Sequence, residues 1–290
     1  MEKLDRRIHA YRPDLADERL KGRVEADRFV SAMPARIISP VARLFRRPTP
    51  DALLDTEALC GDMVQVFEAG DEGWNWVQLS FDGYVGWMAA NDLGPADREP
   101  THRVTVPRTL VFSRPDIKSP VVDILSLGAS VAVTGEAHDH NARYALIEPA
   151  GAIVTQHLGA LDDDAGDFVA VAETLAGTPY LWGGTSAFGI DCSGLVQLAL
   201  RMAGCRAPRD TDMQEAALGQ PLPIASGLPR LRRGDLVFWK GHLGIMLDGE
   251  RLLHANVHHM AVASEPLTET ISRLEAADCP VTSIRRLADQ

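Results

Sequence analysis

Cysteine is scarce in this chain, with four residues in 290: Cys60, Cys192, Cys205 and Cys279. They are too few for a disulfide scaffold of this length and too widely spaced for a CxxC metal or redox motif, so free thiols in a reducing compartment are expected. Positive charge is also short, since 29 Lys and Arg face 40 Asp and Glu and leave a formal net charge of −11. A nucleic-acid surface needs a concentrated basic field, and the bunch from Arg43 to Arg47 is too short for one. Apolar runs fall well below the roughly 18 residues that a membrane helix needs, so no membrane partner is expected. The first thirty residues contain no signal-type apolar stretch before a small-residue cleavage site, which points to a cytoplasmic location.

What is present has the composition of a globular protein of more than one domain, 46% hydrophobic and 24% charged. Residues 1–35 are charge-rich, with helical spacing from Asp14 to Arg28, and read as an N-terminal helical leader. Residues 36–97 change to short β-type runs, "ARIIS", "MVQVFEA", "NWVQLSF" and "YVGWMAA", separated by Gly, Asp and Pro signals. Residues 98–160 repeat that rhythm, and "LSLGASVAVTGE" echoes "EALCGDMVQVFEAGDE", so two tandem small β-barrels are predicted. Residues 161–290 read as an α+β domain, helices first and an antiparallel sheet after.

Within the last domain, "GIDCSGLVQLALRMAG" puts Cys192 in the first turn of a helix whose interior is almost wholly apolar. Amides at a helix N-terminus favour the thiolate, and the Cys192 N–H can donate to the oxyanion of an acyl transfer. A cysteine nucleophile still needs a base. The informative histidines are His242 in "WKGHLGIML" and His254 in "RLLHANVHH", on two strands that turn near Asp248 and Gly249. A two-residue turn would put them on opposite faces. A three-residue turn pairs Gly244 with His254 and His242 with Asn256, making the imidazoles diagonal neighbours on one face, and this register is the one expected. His254, His258 and His259 lack a carboxylate or thiol arranged nearby in the sequence, so no metal site is expected.

The segments "TPYLWGGTSAFGIDCSGLVQLALRMAG", "APRDTDMQ" and "LRRGDLVFWKGHLGIMLDGERLLHAN" resemble the NlpC family of papain-like cell-wall cysteine peptidases over roughly residues 175–260. The resemblance implies Cys192 as nucleophile, His242 as general base, His254 as the residue that orients it, and Tyr180 as a neighbour helping with the oxyanion or substrate carbonyl. No cofactor is implied, and no obligatory protein partner. Two SH3-like barrels ahead of such a domain are similar to the subgroup of γ-D-glutamyl-L-diamino acid endopeptidases that require a free N-terminal L-Ala. That similarity implies Asp191 as a ligand of the substrate ammonium, a role compatible with its also serving as a helix N-cap. It further implies Ser193 and Thr211 as substrate-contacting hydroxyls, and Tyr84 and Glu57 as contacts from the first barrel. The expected substrate is a murein tripeptide or related stem peptide, cut between D-Glu and meso-diaminopimelate for recycling. A secreted hydrolase acting on intact wall and a binding module with a vestigial triad are the competing expectations.

Overall fold

The computed structural model describes residues 4–224 and 227–288. The ends of the expected leader and catalytic domain (1–3, 289–290) and residues 225–226 lie outside the described residues. The chain divides into two units, one ending at Leu161 and the other beginning at Asp162.

The first unit is almost entirely β. Its seven-stranded antiparallel sheet runs Leu54–Leu59, Val41–Phe45, Val85–Ala89, Trp74–Leu79, Met63–Ala69, Met33–Ile37, Leu93–Gly94. Strand alternation turns Ile37, Leu44, Val64, Val77 and Met88 inward to a common core. The second half of the unit repeats this order. Strands Val41–Phe45 and Leu54–Leu59 recur at the same lengths and separation as Arg108–Phe112 and Val121–Ser126. They are followed in the sheet by Ala152–Val154, Arg143–Ile147 and Val133–His138, while Ser130–Val131, His102–Val104 and Leu158–Ala160 form a separate three-stranded sheet. The echo between the two halves lies at a shared turn. Gly61 and Gly128 adopt φ of +87° and +85°, and their N–H groups donate at 2.9 Å to the carbonyls of Ile37 and Val104. Only glycine takes such a φ without strain.

The leader corrects the sequence expectation, because it is not helical among its described residues. Leu15–Asp17 and Arg28–Val30 pair as parallel strands, with only the single 3-10 turn Glu18–Leu20 between them. Tertiary contacts override the helical spacing. Leu15 and Ala10 are buried with Phe67 and Trp76, and the Arg12 guanidinium lies 4.3 Å over Trp76 and 5.0 Å over Trp87. Arg12 also bonds Glu68 at 2.6 Å, and Gly22, at φ +80°, breaks the run that a helix would have needed.

The second unit opens with helix α1 (Phe168–Thr174), capped by Asp167, and the long helix α2 (Cys192–Met202), capped by Asp191. A six-stranded antiparallel sheet follows in the order Gln220–Pro221, Val281–Arg286, Leu236–Trp239, His242–Met246, Arg251–Asn256, Ala261–Pro266. Two helices were not apparent from the sequence: α3 (Thr211–Ala217) and α4 (Leu267–Glu275), the latter interrupting a tail expected to be all strand. Leu267, Ile271 and Leu274 of α4 lie against Val237, Trp239, Met246, Leu252 and Ile284 of the sheet. Helix α2 packs on the strands of His242 and His254. Burying Leu195, Val196, Leu198, Leu200 and Met202 along it contributes about 1.5–3 kcal/mol for each large side chain.

Candidate active site

Helix α2 starts where it does because Asp191 accepts the Gly194 N–H at 2.7 Å. The same carboxylate accepts Gly183 N–H at 2.9 Å, which folds the glycine-rich loop onto the mouth of the helix. A side chain at Gly194 would strike the Gly184 carbonyl, and one at Gly184 would strike the Gly189 carbonyl, so each of these close approaches needs its glycine. Arg209, 2% exposed, grips Asp191 with two bonds, at 2.6 and 3.0 Å. It also donates to Ser193 Oγ at 2.8 Å, and Ser193 in turn donates to Asp191 at 3.2 Å. The two oxygens of Asp191 therefore take five donors from within the protein, and a substrate ammonium there would have to displace one of them.

Cys192 is buried at the first residue of α2. Its Sγ lies 4.0 Å from Thr211 Oγ1, at the start of α3, and receives the backbone N–H of Leu243, the residue after His242. Burial, together with the negative charge of Asp191, pushes this thiol up to about 11. Burial and Asp191 thus act against the helix N-terminus, while the Leu243 N–H and the Thr211 hydroxyl act with it in favour of the thiolate. Tyr180 lies in the field of the same centre. Its hydroxyl is pushed up by burial and then by Cys192 and Asp191.

The two histidines lie on the hairpin in the register expected. Ile245 pairs with Leu253 and Met246 with Leu252, and Leu247 N–H donates to the Arg251 carbonyl across the turn at 2.8 Å. His242 Nε2 and His254 Nδ1 are 2.8 Å apart. The His242 ring is enclosed between Trp239 and His254, with centroids at 5.7 and 5.1 Å. Burial depresses both imidazoles below the ordinary 6.5; Glu265 opposes the shift of both, and Arg273 reinforces it.

Two residues of this site lie outside the motifs that mark it in the sequence. Glu265, the fifth residue of strand Ala261–Pro266, accepts from His254 Nε2 at 2.8 Å. Arg273 on α4 clamps Glu265 at 2.5 and 2.8 Å. The fold brings to the histidine run a carboxylate that is distant in sequence, since donor atoms of His254, His259 and Glu265 come within 4.8 Å of one another. The Arg273 cation already neutralises that carboxylate, and both nitrogens of His254 are engaged, so these donors are ill suited to hold a metal. Of the first-unit residues, Tyr84 is buried in the core of the seven-stranded sheet. Glu57 is buried on strand Leu54–Leu59, 3.9 Å from Arg43.

The depressed imidazoles make a stability prediction. Between pH 6.5 and their lower folded values the unfolded chain binds protons that the folded chain does not, so stability falls as pH falls through that window. The carboxyl of Glu265 is held below its ordinary 4.5, so its contribution is lost only at more acid pH. The melting temperature of the second unit should therefore hold from pH 8 to about 6.5 and decline below it. A flat profile down to about pH 5 would show that the histidines are not buried neutral.

Residues 177–275 match the NlpC/P60 family, and residues 44–93 match the bacterial dipeptidyl-peptidase SH3 domain. A cysteine at a helix mouth, a histidine pair on the adjoining hairpin and these two matches define the class: residues 177–275 form a cysteine peptidase domain of the NlpC/P60 family, preceded by an SH3-like domain. The chain is 27% identical over 244 residues to dipeptidyl-peptidase 6 of Lysinibacillus sphaericus, covering 78% of this chain and 88% of that one. It is also 27% identical over 262 residues to the γ-D-glutamyl-L-lysine dipeptidyl-peptidase of Bacillus subtilis strain 168, covering 78% and 80%. The crystal structure of an NlpC/P60 family protein from Bacillus cereus ATCC 10987 has the same fold, with TM-score 0.70, 22% identity, and 88% and 99% of the two chains covered. Among the described residues no helix is long and apolar enough to cross a membrane.

Proposed function

We propose that this peptidase hydrolyses the bond between γ-D-Glu and the diamino acid of murein peptides that carry a free N-terminal L-Ala. The observation that carries the reading is the pairing of Cys192 at the mouth of α2 with the His242–His254 couple on the hairpin beside it. Cys192 Sγ gives its proton to His242 and attacks the amide carbonyl. His242 passes that proton to the departing amine of the diamino acid, and water then hydrolyses the thioester. The Cys192 N–H, with Tyr180 beside it, is assigned to the oxyanion, and the Thr211 hydroxyl to the substrate. The choice of γ-D-glutamyl bond is supported by the relative named γ-D-glutamyl-L-lysine dipeptidyl-peptidase, aligned over more than three quarters of this chain. Meso-diaminopimelate as the diamino acid, recycling of released peptides in the cytoplasm and an SH3-like identity for both strand groups of the first unit belong to the same reading. The shared strand order supports the last of these.

The test gives the purified protein free L-Ala-γ-D-Glu-meso-diaminopimelate, its L-lysine counterpart, and the same peptides capped by muramic acid, and follows the released diamino acid by mass spectrometry. Cleavage of free peptides alone is expected. Equal cleavage of capped peptides would favour remodelling of intact wall, and cleavage of none would overturn the substrate assignment. Glu57→Gln should narrow the preference for free over capped peptide if Glu57 serves the free N-terminus, and an unchanged ratio removes it from that role.

A further inference from the structure

The hydrogen bonds beyond the two histidines form one continuous chain: His242, His254, Glu265, Arg273. Its proton positions follow from its far end. Burial would raise the Glu265 carboxyl, but bonds from Arg273, His254 and Thr270 overcome this and hold it at about 2. Glu265 is thus a carboxylate and can only accept, so His254 must carry its proton on Nε2. A neutral His254 then has a bare Nδ1, which faces His242 Nε2 at 2.8 Å and must accept from it. The one nitrogen of the couple left as a free acceptor is His242 Nδ1.

We propose that Glu265, clamped by Arg273, is a positioning residue for the catalytic base, fixing the tautomers of both histidines so that His242 Nδ1 takes the Cys192 proton. This rests on the reading of Cys192 and His242 as nucleophile and base. Arg273 has the complementary task of keeping Glu265 from drawing the His254 proton away. Electrostatically the two act in opposition on the imidazoles. When His242 becomes an imidazolium in the attack step, the Glu265 charge stabilises it and the Arg273 charge opposes it. The other charged or titratable group facing His254 is His259, in the turn ahead of the next strand, and it also disfavours protonation. A carboxylate used only for packing or for docking α4 would show none of this directionality.

The test compares Glu265→Gln, Glu265→Ala and Arg273→Gln in the full chain. The readouts are the pH profile of kcat/KM, the pH profile of Cys192 alkylation by iodoacetamide, and the melting temperature. Glutamine can still accept the His254 proton while facing Arg273 with its oxygen, so Glu265→Gln keeps the tautomer and loses the charge. Its kcat should fall about 10- to 100-fold with KM little changed, and the acid limbs of both profiles should move to lower pH. Arg273→Gln should move the same limbs to higher pH, and Glu265→Ala, which frees the tautomer as well, should be slower than Glu265→Gln. Opposite displacements support the proposal. Limbs that stay in place, or that move together in step with the melting temperature, overturn it. Alkylation requires no substrate, so it tests the relay even if the peptide assignment fails.

Discussion

Replacing Cys192 with alanine is expected to abolish hydrolysis, by at least about 10⁴-fold, while the second unit keeps its fold and melts within a few degrees of the parent. The size of the effect follows from the chemistry. In the proposed mechanism the Cys192 side chain forms the acyl intermediate, and an oxyanion donor without a nucleophile supports only a weak background reaction. The small effect on stability follows from the site. Alanine keeps the backbone N–H and the helix start, and the Asp191 cap is untouched. Binding of the free tripeptide, measured by calorimetry, should survive in this variant, which separates loss of chemistry from loss of the site. An active Cys192→Ala protein would remove Cys192 from the mechanism. Cys192→Ser should be nearly as inactive, because a neutral imidazole of depressed basicity is still less able to deprotonate a hydroxyl than a thiol.

The surroundings of that thiol were the part of the site least legible in the sequence. The pattern from Gly189 to Gly204 placed Cys192 at a helix start, and that placement holds. Leu243, Thr211 and Arg209, which come from other segments, each favour the thiolate, and burial together with the Asp191 charge outweighs them. The hairpin was legible because strand alternation and a short turn leave only two registers, and only one lets the histidines meet. Glu265 was not, because its place beside His254 depends on how the chain reverses between Asn256 and Ala261, where Met260 takes a φ of +52°. Helix α4 left a signal in the spacing of Leu267, Ile271 and Leu274, which a reading of the tail as strand passed over. The leader shows the converse case, helical spacing defeated by the stacking of Arg12 on two tryptophans of the neighbouring sheet.

Arg209, in the "APRDTDMQ" segment, should dominate the stability of the second unit. It is a buried guanidinium bonded twice to a buried carboxylate, and that carboxylate starts α2 and holds the glycine loop. Arg209→Met would leave Asp191 charged, desolvated and without its counter-ion, which costs about 3–5 kcal/mol. For a unit of this size the melting temperature should drop by roughly 10–20 °C. Activity at a temperature where the variant remains folded should fall as well, because the loss of Arg209 removes a positive charge that lowers the Cys192 thiol and leaves Asp191 free to raise it further. The discriminating comparison is the double variant Asp191→Asn with Arg209→Met. If the ion pair is the stabilising unit, neutralising both partners should recover a large part of the lost stability, since neither charge is then buried alone. Activity should stay low, because asparagine caps the helix but no longer organises Ser193 and the glycine loop through a charged hub. If the double variant is no more stable than Arg209→Met, the arginine is acting through its packing, and the charge pair is not what holds the mouth of α2 in place.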